Sequence, residues 1–350
     1  MDGPLVVTES AEHPRPFLIV PNNGDRPGSV ERELILRKQV TSLKLELPPE
    51  AALPLRTEDA AGTATRSPRE GSATTGKGPG DTWVAVSASA CGTSHIEVGR
   101  GNEDAFASVV GGDGTLIVAV ADGVGSYPGT SAWGSRTAVQ AAVAHLEGWH
   151  AELDSGARGN SPGDEAMADA VLGAMRHASE ELVRVAVEMN LEFRELSTTL
   201  NVVFAHGDCA CTGQIGDGII VVRTAGSCAW VAPEQHGGAV NEVFVVDHPF
   251  RASDARIHVH REVEAIAVST DGLQYKITDM AAKQPYEPFF DGLWSMVASG
   301  EADGDRLREF LDSIRDLQAT DDKTLVAAVR GSRATGGPQM GYRAESPLPA

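Results

Sequence analysis

The stretch Val-Ala-Val-Ala-Asp-Gly-Val-Gly-Ser, residues 118–126, decides how the rest of the chain is read. Residues 116–121 form a short, almost purely apolar run, the pattern of a buried strand. The run stops at Asp122-Gly123, and Gly125 follows. Glycine lets the backbone turn sharply at the strand end, and aspartate tolerates that turn. A carboxylate is thereby set at the rim of a rigid sheet, beside backbone carbonyls free to point the same way. Hard cations such as Mg²⁺ and Mn²⁺ take oxygen ligands of this kind. A single Asp-Gly reads equally well as an ordinary strand-to-loop turn. What gives this one weight is that the pattern recurs.

Working outward, residues 83–91 alternate as a first strand, and 92–95 make a turn. Residues 106–110 are strand-like, 111–114 a hairpin turn, and 116–121 the returning strand, so Asp104 and Asp122 can lie side by side. Residues 130–149 read as a helix that Thr130 or Ser131 can cap, followed by a Gly-rich loop over 154–163. The clearest helix is 164–190, where Met167, Val171, Ala174, Ala178, Leu182, Val185 and Met189 make one apolar stripe. That stripe is core, and His177 lies off it.

From residue 197 the period changes to strands, expected over 198–205, 209–215, 219–223, 242–246 and 262–269. The last runs into Thr270-Asp271-Gly272, a second strand-end Asp-Gly. A loop and a helix are expected over 276–300 and a further amphipathic helix over 305–317. Asp321-Asp322-Lys323 precedes a closing strand over 324–329.

Three regions follow from composition. Residues 1–80, rich in Pro, Gly, Ser, Thr and charge, read as a flexible extension and linker with short apolar pieces at 17–20 and 34–47. That extension is either a tail without function or a docking segment. Residues 81–330 form the folded domain, and 331–350 read as a frayed tail.

The formal net charge of −20 disfavours nucleic acid and acidic membrane surfaces, which are bound through excess Lys and Arg. No apolar run approaches a membrane span, and Met-Asp-Gly-Pro lacks the regions of a signal peptide. Cys209 and Cys211 are too close together for ordinary zinc-ligand spacing. They are expected as reduced cysteines of a cytoplasmic protein.

Asp104, Asp122, Asp271 and Asp321 all stand at strand ends, with Asp217 a fifth in a turn. If these rims converge, the like charges repel strongly and hold as carboxylates only with cations between them. Two divalent ions roughly 3.5–4 Å apart, sharing a carboxylate and a water, make an arrangement suited to phosphate-ester hydrolysis.

Six ordered motifs carry a resemblance. They are Asn102-Glu103-Asp104-Ala105, Val120-Ala121-Asp122-Gly123-Val124-Gly125, Ser197-Thr198-Thr199, Ile215-Gly216-Asp217-Gly218, Ser269-Thr270-Asp271-Gly272-Leu273 and Asp321-Asp322-Lys323-Thr324. Together, over residues 84–329, they resemble the type 2C metal-dependent serine/threonine protein phosphatases. The bacterial branch is the nearer likeness, because Gly125 stands two positions after the Asp-Gly.

The resemblance implies an α+β fold, a four-layer α-β-β-α sandwich of two antiparallel sheets flanked by helices. It implies two ions, Mn²⁺ or Mg²⁺, with Asp122 bridging them and the Gly123 carbonyl on one. Asp271 and Asp321 would hold the first metal and Asp104 the second, with Glu103 a neighbouring alternative. Asp217 would hold a weak third ion through water. The implied activity is hydrolysis of phosphoserine and phosphothreonine in a phosphoprotein substrate that a cognate kinase modifies. The alternative is a non-catalytic phosphatase-like module that binds a phosphoprotein or kinase. A monomer is expected.

Three departures bear on the chemistry. The substrate-phosphate arginine is expected five residues before the motif Asp, whereas Arg100 stands four before Asp104. Tyr275 occupies the position where many members carry an acid that aids the third metal. Val124 stands where certain members carry a general-acid histidine, so His95 is either a substitute acid or a structural histidine.

Overall fold

The computed structural model describes residues 65–66, 82–124, 129–155, 162–231, 244–314 and 320–331. The apolar pieces at 17–20 and 34–47, Gly125, most of the 154–163 loop and residues 332–350 lie outside the described residues.

Two β-sheets stack face to face. The first runs in the order β1 (Thr65–Arg66), β3 (Asp104–Val110), β4 (Leu116–Asp122), β5 (Leu200–His206), β6 (Cys209–Ile215) and β9 (Arg256–Arg261). The second runs β2 (Trp83–Ala90), β13 (Lys323–Arg330), β10 (Val263–Ser269), β7 (Ile219–Thr224) and β8 (Ser227–Trp230). Every pairing from β2 onward is antiparallel. The two-residue β1, inside the stretch expected as linker, lies parallel to β3.

The all-apolar β4 is buried on both faces. Leu116, Val118 and Val120 enter the core between the sheets, whereas Ile117, Ala119 and Ala121 pack under the helices. Those helices are α2 (Ser131–Asp154) and α3 (Asp164–Met189), which follow the short α1 (Thr93–Glu97). The α3 stripe is buried at Met167, Val171, Ala174, Ala178 and Leu182, against α2 and the first sheet. Val185 and Met189 are only partly buried.

The outer face of the second sheet is covered by α4 (Gln274–Ile277), α5 (Glu287–Ser299) and α6 (Gly304–Ser313), through Ile277, Phe290, Leu293, Trp294, Leu307 and Leu311. Three apolar clusters therefore separate four layers, helix, sheet, sheet and helix. The expected α+β sandwich of two antiparallel sheets is the observed one.

Several element expectations are corrected. The described part of 242–246 carries no strand. The sixth strand of the first sheet, at its edge beside β6, is instead β9, whose only apolar residues are Ile257 and Val259 between His and Arg, a weak edge-strand signal. The 276–300 stretch holds the end of α4 and a small hairpin, β11 (Thr278–Asp279) with β12 (Gln284–Pro285), before α5. The 92–95 turn contains the start of α1, and α6 ends at Ser313. Cys209 and Cys211 are free and buried in β6, while Cys91 and Cys228 are partly exposed.

Candidate metal centre

The strand ends of both sheets meet at one rim. Asp104 opens β3 and Asp122 closes β4, and the two are direct partners in the antiparallel ladder. From the second sheet come Asp271, just past β10, and Asp321, just before β13. Asp217 arrives in the tight β6–β7 turn, where Gly216 has φ +104. All five aspartates singled out in the sequence are thereby brought within electrostatic reach of one another.

Burial pushes the Asp122 carboxyl well above the usual carboxylate range, with Asp104, Asp271, Asp321 and Asp217 adding to the effect. Asp104 is likewise raised, by burial and then by Asp322, against the lowering effect of hydroxyls from Thr324 and Thr270. Asp271 is pushed up to about 7 by burial, Asp217 and Asp321, offset in part by a hydrogen bond with Asp122. Asp217 is raised by burial and Asp321, although its own backbone amide and Arg256 oppose the shift. Such a cluster either keeps protons or takes up cations between its oxygens.

The donor set fits divalent ions. Asp104 is held from one side only: Thr270 Oγ1 and Thr324 Oγ1 donate to its Oδ2 at 2.8 and 2.7 Å. Its buried Oδ1 has no hydrogen-bond partner, and neither has Asp271 Oδ1. Two buried carboxylate oxygens without donors, in an all-oxygen cluster, suit Mg²⁺ or Mn²⁺ better than zinc.

The main chain at Asp122 is strapped by the Ser197-Thr198-Thr199 motif. Thr199 Oγ1 accepts from the Asp122 amide at 2.9 Å, while Thr198 Oγ1 and the Thr199 amide both donate to the Asp122 carbonyl at 2.9 Å. Gly123 cannot be replaced freely, since a Cβ there would lie 2.7 Å from the Ser131 carbonyl oxygen.

The remaining expected residues sit beside this cluster. Arg100 Nη2 donates to both Glu103 oxygens at 3.2 Å. Glu103 Oε1 also accepts from the Gly129 amide at 3.0 Å. The pair occupies the Glu103 carboxylate, which therefore differs from Asp104 in having its donors already in place.

His95 is buried, on α1, with Nδ1 3.0 Å from Asp322 Oδ2 and Nε2 3.8 Å from Asp321 Oδ1. Tyr275, at the position of the missing acid, is 59% exposed.

The sequence reading missed Asp322. Its side chain is almost fully buried and accepts from the Gly92 and Glu103 amides, both at 2.6 Å, as well as facing His95. Asp321, its neighbour, is 55% exposed in its side chain and points to the cluster. The doubled Asp was the available signal: adjacent residues leaving a chain on opposite sides take different tasks. Thr270 and Thr324, which orient Asp104, were quoted in their motifs without a role.

The chain is similar to known proteins. The sequence profile of the family described as Protein phosphatase 2C matches residues 91–312, more than half of the chain. Serine/threonine-protein phosphatase 3 of Escherichia coli (strain K12) is 26% identical over 258 residues, 71% of this chain and 98% of its own length.

Among solved structures, serine-threonine phosphatase 2C from Toxoplasma gondii is similar with TM-score 0.49 and 16% identity, over 71% of this chain and 95% of that one. The catalytic domain of the serine threonine protein phosphatase PstP, in complex with 2 manganese ions, is similar with TM-score 0.44 and 17% identity, over 71% and 98% of the two chains. The profile match spans the rim from the end of β2 through α6, taking in four of the five clustered aspartates, and on it the chain belongs to the protein phosphatase 2C family.

Proposed function

We propose that this chain hydrolyses phosphoserine and phosphothreonine in proteins, with two divalent ions, Mn²⁺ or Mg²⁺, held at the rim. The observation that carries this reading is the convergence of Asp104, Asp122, Asp217, Asp271 and Asp321, with donor-free oxygens on Asp104 and Asp271. Asp122 would be the shared ligand, with the Gly123 carbonyl on one ion. Asp271 and Asp321 would hold one ion and Asp104 the other, with Asp217 available to a weaker third through water. When bound, such ions lower the pKa of a coordinated water and neutralise charge on the phosphoryl group.

The chain's own groups fix the arrangement. Thr270 and Thr324 orient Asp104, and Thr198 and Thr199 hold the backbone of Asp122. Asp322 sets the His95 ring so that Nε2 faces Asp321 at the rim. A proton held at that nitrogen is available to the departing alkoxide. Arg100, tied to Glu103 in the loop before Asp104, is the arginine we assign to receive the ester phosphate.

The substrate is an extended phosphopeptide of a protein that a kinase has modified, because a rim site needs only the ester phosphate and leaves the flanks on the surface. A net charge of −20 favours flanking Lys and Arg through the long-range field. A second reading, a non-catalytic phosphatase-like module that binds a phosphoprotein or a partner kinase, is favoured by one observation, the engagement of Arg100 by Glu103.

The experiment is Mn²⁺-dependent turnover of matched basic and acidic phosphothreonine peptides and of nucleoside monophosphates, with Asp122→Asn as control. Turnover of the basic peptide should lead and its advantage should shrink with salt, toward a screening length of about 8 Å. Binding without turnover would support the module instead. Faster turnover of a metabolite would overturn the protein substrate.

A further inference from the structure

The opposite end of the first sheet carries a second set of metal-ligating groups. The β3–β4 turn, Gly111-Gly112-Asp113-Gly114-Thr115, presents Asp113 toward His150 of α2 and His206 at the end of β5. His150 Nε2 lies 3.3 Å and His206 Nδ1 3.7 Å from Asp113 Oδ2. The three ligand atoms are all within 4.8 Å of one another. We propose that Asp113, His150 and His206 form a second divalent transition-metal site, with two imidazoles and one carboxylate, that takes Zn²⁺ and ties the β3–β4 turn to α2 and β5.

The geometry is that of a zinc shell before contraction. Zinc bonds of about 2.0–2.1 Å in a tetrahedron put ligand atoms roughly 3.4 Å apart. The two distances to Asp113 bracket that value. Two imidazoles with a carboxylate and room for water leave the fourth position to solvent. The three side chains are 17%, 13% and 32% exposed for His150, His206 and Asp113, so an ion and its water can enter.

The supporting contacts orient the ligands. Thr115 donates its amide to Asp113 Oδ1 at 3.1 Å, which leaves Oδ2 facing the imidazoles. The Thr115 hydroxyl sits 2.9 Å from Asp113 Oδ2 and 3.0 Å from His206 Nδ1. A Cβ at position 111 would lie 2.5 Å from Asp113 Oδ1, so a larger residue there would displace the carboxylate. The Thr115 contacts to Asp113 hold the carboxylate's direction, and contacts of this kind are worth about 10- to 100-fold in metal affinity, whereas at His206 Nδ1 the ion takes the place of the Thr115 hydroxyl.

This set is separate from the rim of aspartates. Asp104 and Asp122 stand at the far ends of β3 and β4, and the seven residues of β4 span about 20 Å. The chemistry differs as well, since imidazole nitrogen selects zinc-like ions whereas the all-oxygen rim suits Mg²⁺ or Mn²⁺.

The test titrates Zn²⁺ into the full chain in excess Mg²⁺, comparing wild type with His150→Gln, His206→Gln and Thr115→Val by equilibrium dialysis. The ring nitrogens of ¹⁵N-histidine-labelled protein are followed in parallel. Wild type should bind one more zinc than either histidine variant, and Thr115→Val should weaken that zinc about 10- to 100-fold. His150 and His206 signals should shift together at one equivalent, and Mg²⁺-dependent turnover should stay unchanged in all variants. Equal zinc stoichiometry and affinity in the four proteins, or histidine signals that zinc does not move, would overturn the proposal. The labelled wild type gives the answer even where a variant fails to fold.

Discussion

Asp104 and Asp122 are cross-strand partners, the first residue of β3 facing the last residue of β4. Like charges placed directly opposite destabilise a ladder, so the pair stands where the ladder ends and is raised toward its neutral form. The arrangement sacrifices stability for a site.

Asp122→Asn should therefore abolish activity without loss of fold. Removing several kcal/mol of charge stabilisation at the reacting group corresponds to at least about 10³-fold in kcat. The chelated variant should melt no lower than wild type, because one repelling anion is gone. Steady-state assays with calorimetry on the same preparations check both halves. A variant with near-normal turnover would remove Asp122 from the mechanism.

The metal-free chain should lose stability as pH rises. Asp271 is pushed up to about 7, and Asp104, Asp122 and Asp217 move in the same direction. Such a group keeps in the folded state a proton that the unfolded state has released. The folded state is then penalised progressively from the ordinary carboxylate range near 4 up through 7. Melting in chelator should give a higher Tm at about pH 5.5 than at about pH 8, and saturating Mn²⁺ should raise the alkaline Tm most. A Tm that climbs with pH in chelator would contradict the burial of this cluster.

Asp322→Ala should be the most destabilising single change near the site. It strands two buried amides, those of Gly92 and Glu103, at about 1–3 kcal/mol each. Asp321→Ala, at an exposed side chain, should cost little stability and mainly weaken metal binding. Denaturant unfolding of both variants, with Mn²⁺ titrations, separates the two roles. Equal losses of stability would mean that the neighbouring acids share one task.

A chain beginning at residue 81 should still melt cooperatively. The described contact of the preceding segment is the two-residue pairing of Thr65–Arg66 with β3, and losing it should cost about 1–2 kcal/mol. Insolubility of the shortened protein would show that residues before β2 contribute to the core.

The hairpin pairing, the buried β4, the long helices α2 and α3 and the five clustered aspartates were legible because each rests on local pattern. An apolar run with Asp-Gly at its end states where the strand stops and what it presents there. The division of labour between Asp321 and Asp322 was not legible, since only the fold decides which of two identical neighbours faces inward. Nor was the Arg100–Glu103 pair, because the loop that brings the two side chains together has no periodic pattern. The strand β9 escaped because it is a sheet edge with only two apolar residues, Ile257 and Val259.

Asp104 belongs to one sheet, yet the hydroxyls that aim it, from Thr270 and Thr324, belong to the other. With the ligands proposed above, groups from both sheets would have to arrive in register, and the centre would work as a vernier on how the two sheets are docked. A small shear between them, caused by thinning the interior at Val203 or Ile266, would misalign the ligands well before it unfolded the chain. Mn²⁺ affinity should then report packing defects that a melting curve overlooks, and saturating ion should act as a rivet across the sandwich.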